Sequence, residues 1–183
     1  MRHLVLALLL LSPSVAAACA PVLPPPSVEA PRVTAPPSRV PSVPPPRIEV
    51  VDEDGVREAV FRHLFDHNAS GQQKAAKVYC LQIEGKLDPS PEFMRRFAGN
   101  QPPVKKASLC SFKAGTGRGG VEDETGAKGL IFRIDTIQHA SADTATVEGG
   151  YFEAGLSASG NIYELVKEGD LWIVKQDTMK WIS

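Results

Sequence analysis

TATVEGGYFEAGLSASGNIYELVKEGDLWIVKQDTMKWIS, residues 144–183, is the stretch that decides the fold. Three runs in it, Thr144 to Phe152, Asn161 to Lys167 and Leu171 to Met179, are rich in β-branched and aromatic residues and are long enough for strands of an antiparallel meander. The turn cluster Glu168-Gly169-Asp170 separates the last two, and Ser141-Ala142-Asp143 precedes the first. The small-residue run Gly155 to Gly160 predicts the remaining hairpin connection. Trp172 and Val174 alternate with Leu171 and Ile173, so the last strand is expected to be covered on both faces.

Upstream, Leu130-Ile131-Phe132-Arg133-Ile134 adds a strand after the turn signal Val121 to Gly126. Val104 to Phe112 and Lys74 to Ile83 supply two more. Between them Asp88-Pro89-Ser90-Pro91-Glu92 offers a serine N-cap with proline at the first helical position, opening a short helix through Phe93, Met94 and Phe97 that Gly99 can close. Asp52-Glu53-Asp54-Gly55 caps an earlier amphipathic helix from Val56 to about His67, in which Val56, Val60, Phe61, Leu64 and Phe65 share one stripe. A helix before an antiparallel sheet is an α+β outline.

The N-terminal third reads differently. Met1-Arg2-His3, the apolar run Leu4 to Leu11 and the small residues before Cys19 make an export signal, because eight apolar residues fall far short of the roughly 20 needed to span a bilayer. Residues 1–18 are therefore expected to be removed. The cysteine after Ala16-Ala17-Ala18 resembles the bacterial lipobox, which implies acylation of Cys19 and a membrane anchor; Ala16 departs from the usual leucine, and Ala16-x-Ala18 also suits ordinary cleavage that leaves Cys19 unmodified. Residues 19–46 follow as a proline-dense tether, a polyproline II spacer of up to roughly 80 Å at about 3.1 Å per residue, or a docking strip for a proline-reading partner or the cell wall; the partner of the chain as a whole is expected to be an envelope protein or the cell wall. Residues 47–183 remain to fold as one domain.

A formal net charge of −1 in 183 residues, with Arg95-Arg96 and Lys105-Lys106 as the basic clusters, gives no footprint for nucleic acid. Cys80 and Cys110 form an even pair in a chain bound for an oxidising compartment, so a disulfide is expected, with two buried free thiols as the alternative. No cofactor motif survives inspection. Gly115-Thr116-Gly117-Arg118-Gly119-Gly120 satisfies G-x-G-x-x-G, yet it runs on into a turn and a strand where a phosphate-binding helix is required. His63 and His67 stand four apart on the first helix, but Leu64 takes the place of the HExxH glutamate and no third ligand follows, so no metal site is expected. Tyr151, Glu153, Asn161 and Tyr163 crowd the central hairpin and are the candidate pocket or interaction residues; cross-strand surface pairing explains them equally well. No catalytic residue is assigned.

The run Gly149 to Asn161, the ending Trp181-Ile182-Ser183 and Pro102-Pro103-Val104-Lys105-Lys106 before Cys110 resemble a recurring group of uncharacterised bacterial exported proteins. That resemblance implies a cystatin-like or NTF2-like cone, in which a curved antiparallel sheet wraps a helix. It brings no activity with it; the export signal and Cys19 point to a periplasmic or outer-membrane lipoprotein of the cell envelope, whose domain is expected to be a non-enzymatic binding module. An exported enzyme of the cone type, acting on a small ligand or cell-wall fragment, is the alternative. A homodimer through the exposed sheet is a third expectation.

Overall fold

The computed structural model describes residues 51–71, 74–115 and 119–183. The chain divides after Pro45 into two units, and the described residues belong to the second. The expected signal at residues 1–18, Cys19 with its expected acylation, and the expected tether to residue 46 lie outside the described residues, as do the first four residues of the expected domain.

Helix α1 spans Glu53–Asp66. The Asp52 carboxylate accepts from the Gly55 amide at 3.0 Å, and Glu53 and Asp54 add acidic charge to the first turn, where the helix dipole favours it. At the other end the His67 amide and its Nδ1 both donate to the His63 carbonyl, which closes the helix. Its stripe of Val56, Val60, Phe61, Leu64 and Phe65 is buried. A second helix, α2 (Pro91–Arg95), starts as its sequence predicts, with Ser90 Oγ accepting from the Phe93 amide at 3.1 Å.

Strands dominate the rest: β1 (Val78–Gln82), β2 (Val104–Lys106), β3 (Cys110–Lys113), β4 (Gly120–Asp123), β5 (Lys128–Ser141), β6 (Thr144–Ala154), β7 (Ser157–Glu168) and β8 (Leu171–Ile182). They join in one sheet of order β2-β1-β5-β6-β7-β8, with the β3-β4 ribbon attached at the start of β5. The meander from β5 to β8 is antiparallel, but β1 runs parallel to both its neighbours, pairing Tyr79 with Val104 and with Leu130. Among the described residues the architecture is thus an eight-stranded mixed sheet with one long helix, and this overturns the cystatin-like or NTF2-like cone of a helix on a curved antiparallel sheet. The physical cause is the segment 83–103. It crosses over through α2 and a cis Gln101-Pro102 bond, returning the chain beside β1 in the same direction, where a hairpin would have reversed it.

Two sequence-based boundaries also move. Val104 to Phe112 is two short strands broken by a 3₁₀ turn at Ala107–Leu109, and the link between β6 and β7 is only Gly155-Leu156, since Ser157 to Gly160 belong to β7. The last strand is not covered on both faces: Trp172 is buried, whereas every residue from Lys175 onward is exposed. Cys80 and Cys110 are bonded, their Cα atoms 6.5 Å apart, as the sequence predicts. The bridge ties β1 to the start of β3, which is not its hydrogen-bonded neighbour.

One core holds the domain. Aromatic rings of Phe61, Phe65, Tyr79, Phe93, Phe97 and Phe132 meet at centroid separations of 4.8–6.4 Å, joining α1, α2, β1 and β5. Tyr151, Tyr163 and Leu165 extend it under β6 and β7. The basic clusters are paired on its surface: Arg96 with Glu58 at 2.9 Å, and Lys105 with Asp123 and Glu124 at 2.7 and 2.8 Å.

Candidate functional site

The end of α1 and the middles of β7 and β8 enclose a cleft of about 250 Å³, lined by Leu64, His67, Asn68, Ala69, Ser159, Asn161, Tyr163, Asp177 and Met179. Alternation along β7 sends Ser159, Asn161 and Tyr163 to the same face, toward α1. On β8, Asp177 lies opposite Tyr163 and Met179 opposite Asn161.

These groups form a continuous relay. Ser159 Oγ donates to Asn161 Oδ1 at 2.9 Å, and Asn161 Nδ2 donates to Asp177 Oδ1 at 2.6 Å. The other oxygen, Asp177 Oδ2, lies 3.0 Å from His63 Nε2, and the His67 ring stacks on His63 at 4.6 Å. A helix and two strands are thereby tied through buried or half-buried polar atoms, in an arrangement where each group fixes the orientation of the next. Tyr163 lies beneath, fully buried, its ring edge-on to His63 at 5.7 Å. Its hydroxyl has no partner in the protein. Burial, reinforced by the Asp177 carboxylate, pushes the phenol far above its ordinary range, so it is a neutral group able to donate and to accept.

Of the four candidate residues, the structure brings together Asn161 and Tyr163. Tyr151 is 1 % exposed and lies in the core. Glu153 is buried as well, and its Oε2 accepts from Ser70 Oγ at 2.5 Å and Ser157 Oγ at 2.8 Å, an arrangement that fastens the segment after α1 to the β6-β7 turn. It takes no part in the cleft. The sequence reading missed Asp177, the partner of His63, and the place of Ser159 in the relay. A carboxylate and a phenol do converge, but the carboxylate comes from β8, and both its oxygens are already engaged.

Among the described residues no cluster of histidine, cysteine, aspartate and glutamate could hold a metal ion, and no helix is long and apolar enough to cross a membrane. Ser159 is 2 % exposed and donates to an amide oxygen, so no base activates it as a nucleophile. The cleft can bind through hydrogen bonds on one wall and apolar contact with Leu64, Ala69 and Met179 on the other. Comparison with protein-family models, with curated proteins and with solved structures finds no match.

Proposed function

We propose that the chain is an exported envelope lipoprotein, held through Cys19, whose tether presents a non-enzymatic binding module, and that the module binds at the cleft between α1, β7 and β8. The cleft carries this reading. Its polar side chains are pre-ordered by one another, which lowers the entropic cost of binding. The reading adds a signal-like N-terminus and a cysteine placed to become the mature end, both of which suit attachment to a membrane through lipid. An envelope protein or a cell-wall component is the partner class such an address brings within reach.

Hydrogen exchange of the full chain, with and without a detergent extract of the envelope, tests the module. Slowed exchange of β7 and β8 amides near Asn161 and Asp177 is expected, and protection confined to the β3-β4 ribbon, or none, would sink the assignment. For the anchor, Cys19→Ser is expected to leave the membrane fraction for the soluble one; a variant that stays with the membrane removes the lipid from the account.

A further inference from the structure

Large apolar side chains that reach solvent gather at one end of the sheet. Leu156 tips the short turn between β6 and β7 and is 78 % exposed. The end of β8 comes alongside: Ile182 pairs with Ser159, and the Ser183 amide donates to the Ala158 carbonyl at 3.0 Å. Trp181, opposite Gly160, projects from the face away from α1, and Ile182 from the other. Phe112 of β3 joins the group by packing on Phe152, with ring centroids 6.0 Å apart, and Phe152 in turn lies across from Ala158. Phe112, Trp181 and Ile182 are 44–54 % exposed. Trp181 is nonetheless held in place, its ring against Gly160 and 5.4 Å from the Arg133 guanidinium, so its orientation is set before any partner arrives.

Shape and charge together select the partner. Apolar groups exposed in this way mark contact with a protein or a membrane. The four side chains offer on the order of 400 Å², about half of the roughly 800 Å² per partner that a stable protein complex covers. They also come off both faces of the sheet and a turn, so another protein would have to wrap the sheet end to cover them, whereas a bilayer takes in whatever projects. Residues 110–113, 152–160 and 178–183 carry Lys113 next to Phe112 and Lys180 next to Trp181, while the one acidic side chain among them, Glu153, is buried. Lys180 also meets Glu148 at 3.1 Å, and Glu122 stands opposite Ser111 further along the β3-β4 ribbon. Tryptophan at the headgroup level, with lysines reaching outward to phosphate, is the composition that a membrane interface favours. We propose that this end of the sheet docks on a phospholipid bilayer, with Leu156, Trp181, Ile182 and Phe112 entering the interface and Lys113 and Lys180 meeting lipid phosphates. The contact is separate from the cleft and adds to the module a surface of its own.

The full chain carrying Cys19→Ser, so that no lipid on that residue contributes, tests the proposal with vesicles of phosphatidylcholine and phosphatidylglycerol whose acyl chains are brominated. Trp172 is buried in the core, which leaves Trp181 as the tryptophan within reach of the bromine. Quenching of Trp181 emission by the vesicles is expected. Leu156→Ser is expected to weaken the binding about tenfold, the worth of one buried leucine, while keeping the urea midpoint of its parent because the position is exposed. Residues 1–46 are the same in both proteins, so the difference reports the sheet end. No quenching, or quenching that Leu156→Ser leaves unchanged, would overturn the proposal. Absent quenching together with a concentration-dependent sedimentation coefficient that Leu156→Ser abolishes would overturn it in favour of a second copy of the chain. Hydrogen exchange at Asn161 and Asp177 still reads the cleft by itself, whichever way the vesicles decide.

Discussion

At the scale of single residues, the glycines of the GGY and SG runs show how a sequence motif acquires a physical meaning. On the sheet face opposite α1, the Arg133 guanidinium reaches across β6 to donate to the carbonyls of Tyr151, at 3.3 Å, and Ser159, at 3.0 Å, and stacks over the Trp181 ring at 5.4 Å. That crossing needs a floor without side chains. A Cβ on Gly150 would overlap the Ser159 carbonyl oxygen, and one on Gly160 would overlap the Trp181 indole nitrogen. Gly150→Ala is therefore expected to cost about 1–3 kcal/mol, as overpacking does, read as a lower urea midpoint at unchanged slope. Gly155→Ala meets nothing within 4 Å and should stay within about 0.5 kcal/mol of the parent. Equal losses in the two would remove the clasp from the account. The sequence shows that these glycines cluster, but a hairpin connection explains a cluster as well as a track does. Only the register, with Gly150 opposite Arg133 and Gly160 opposite Trp181, tells the two apart.

Among the elements, β8 holds the reason the cleft was only half legible. Its pairing with β7 skips Lys175, between Val174 and Gln176, and Lys180, between Met179 and Trp181. Each skipped residue is a bulge that reverses the parity of the strand. Counting alternately from buried Trp172 and half-buried Val174 sends Asp177 to the face away from α1; the bulge at Lys175 turns it inward, opposite Tyr163. Alternation along β7 is unbroken over the same stretch, which is why Asn161 and Tyr163 were readable and Asp177 was not. The bulges also fall on the outermost strand, where an unpaired backbone edge invites another copy, and each carries a lysine, which forms an ion pair with Glu168 or Glu148. Replacing both with threonine leaves a less charged edge; sedimentation is expected to become concentration-dependent, and a variant that stays at the parent's coefficient at every concentration would show that the charges do not guard it. On the far side of the sheet the strands of 78–113 were legible as strands, but their directions were not, because parallel pairing is set by the crossover and not by strand composition. The Cys80–Cys110 bond closes a 30-residue separation there. Removing it with Cys80→Ala and Cys110→Ala together should cost about 3–4 kcal/mol in the chain-entropy view, measured by urea unfolding under non-reducing conditions. A loss well under 1 kcal/mol would show that the crossover is held without it.

Over the whole molecule, four carboxylates that tie elements together, Glu58, Asp88, Asp123 and Glu124, have pKa values shifted in the same direction, downward. Side-chain bonds from Arg96 and Arg62 outweigh the cost of burial at Glu58 and hold its pKa below the ordinary value, joining α1 to the segment after α2. The Ser108 hydroxyl does the same for Asp88, linking the crossover to the turn before β3. Lys105 lowers both Asp123 and Glu124, and the side chain of Asp123, 3 % exposed, also accepts from the Thr125 hydroxyl and the Thr125 and Ala127 amides, so that β2 is tied to the turn that starts β5. A carboxyl with a folded pKa below its unfolded one, near 4, stabilises the fold in full above that value and loses the contribution as pH falls through the unfolded pKa toward the folded one. Stability should accordingly hold from neutrality to about pH 5 and decline below it, with the unfolded chain taking up protons that the native chain refuses. Asp123→Asn separates this account from general acid unfolding. It keeps an acceptor for the turn amides but gives up the charge facing Lys105, so the variant is expected to be less stable than the parent at pH 7 and to fall less steeply between pH 5 and pH 3. Urea midpoints across that interval are the measurement. Parallel curves for variant and parent would place the acid sensitivity elsewhere in the carboxylate set, whereas convergence toward low pH would assign Asp123 its share, because a protonated aspartate and an asparagine make nearly the same bonds to the turn.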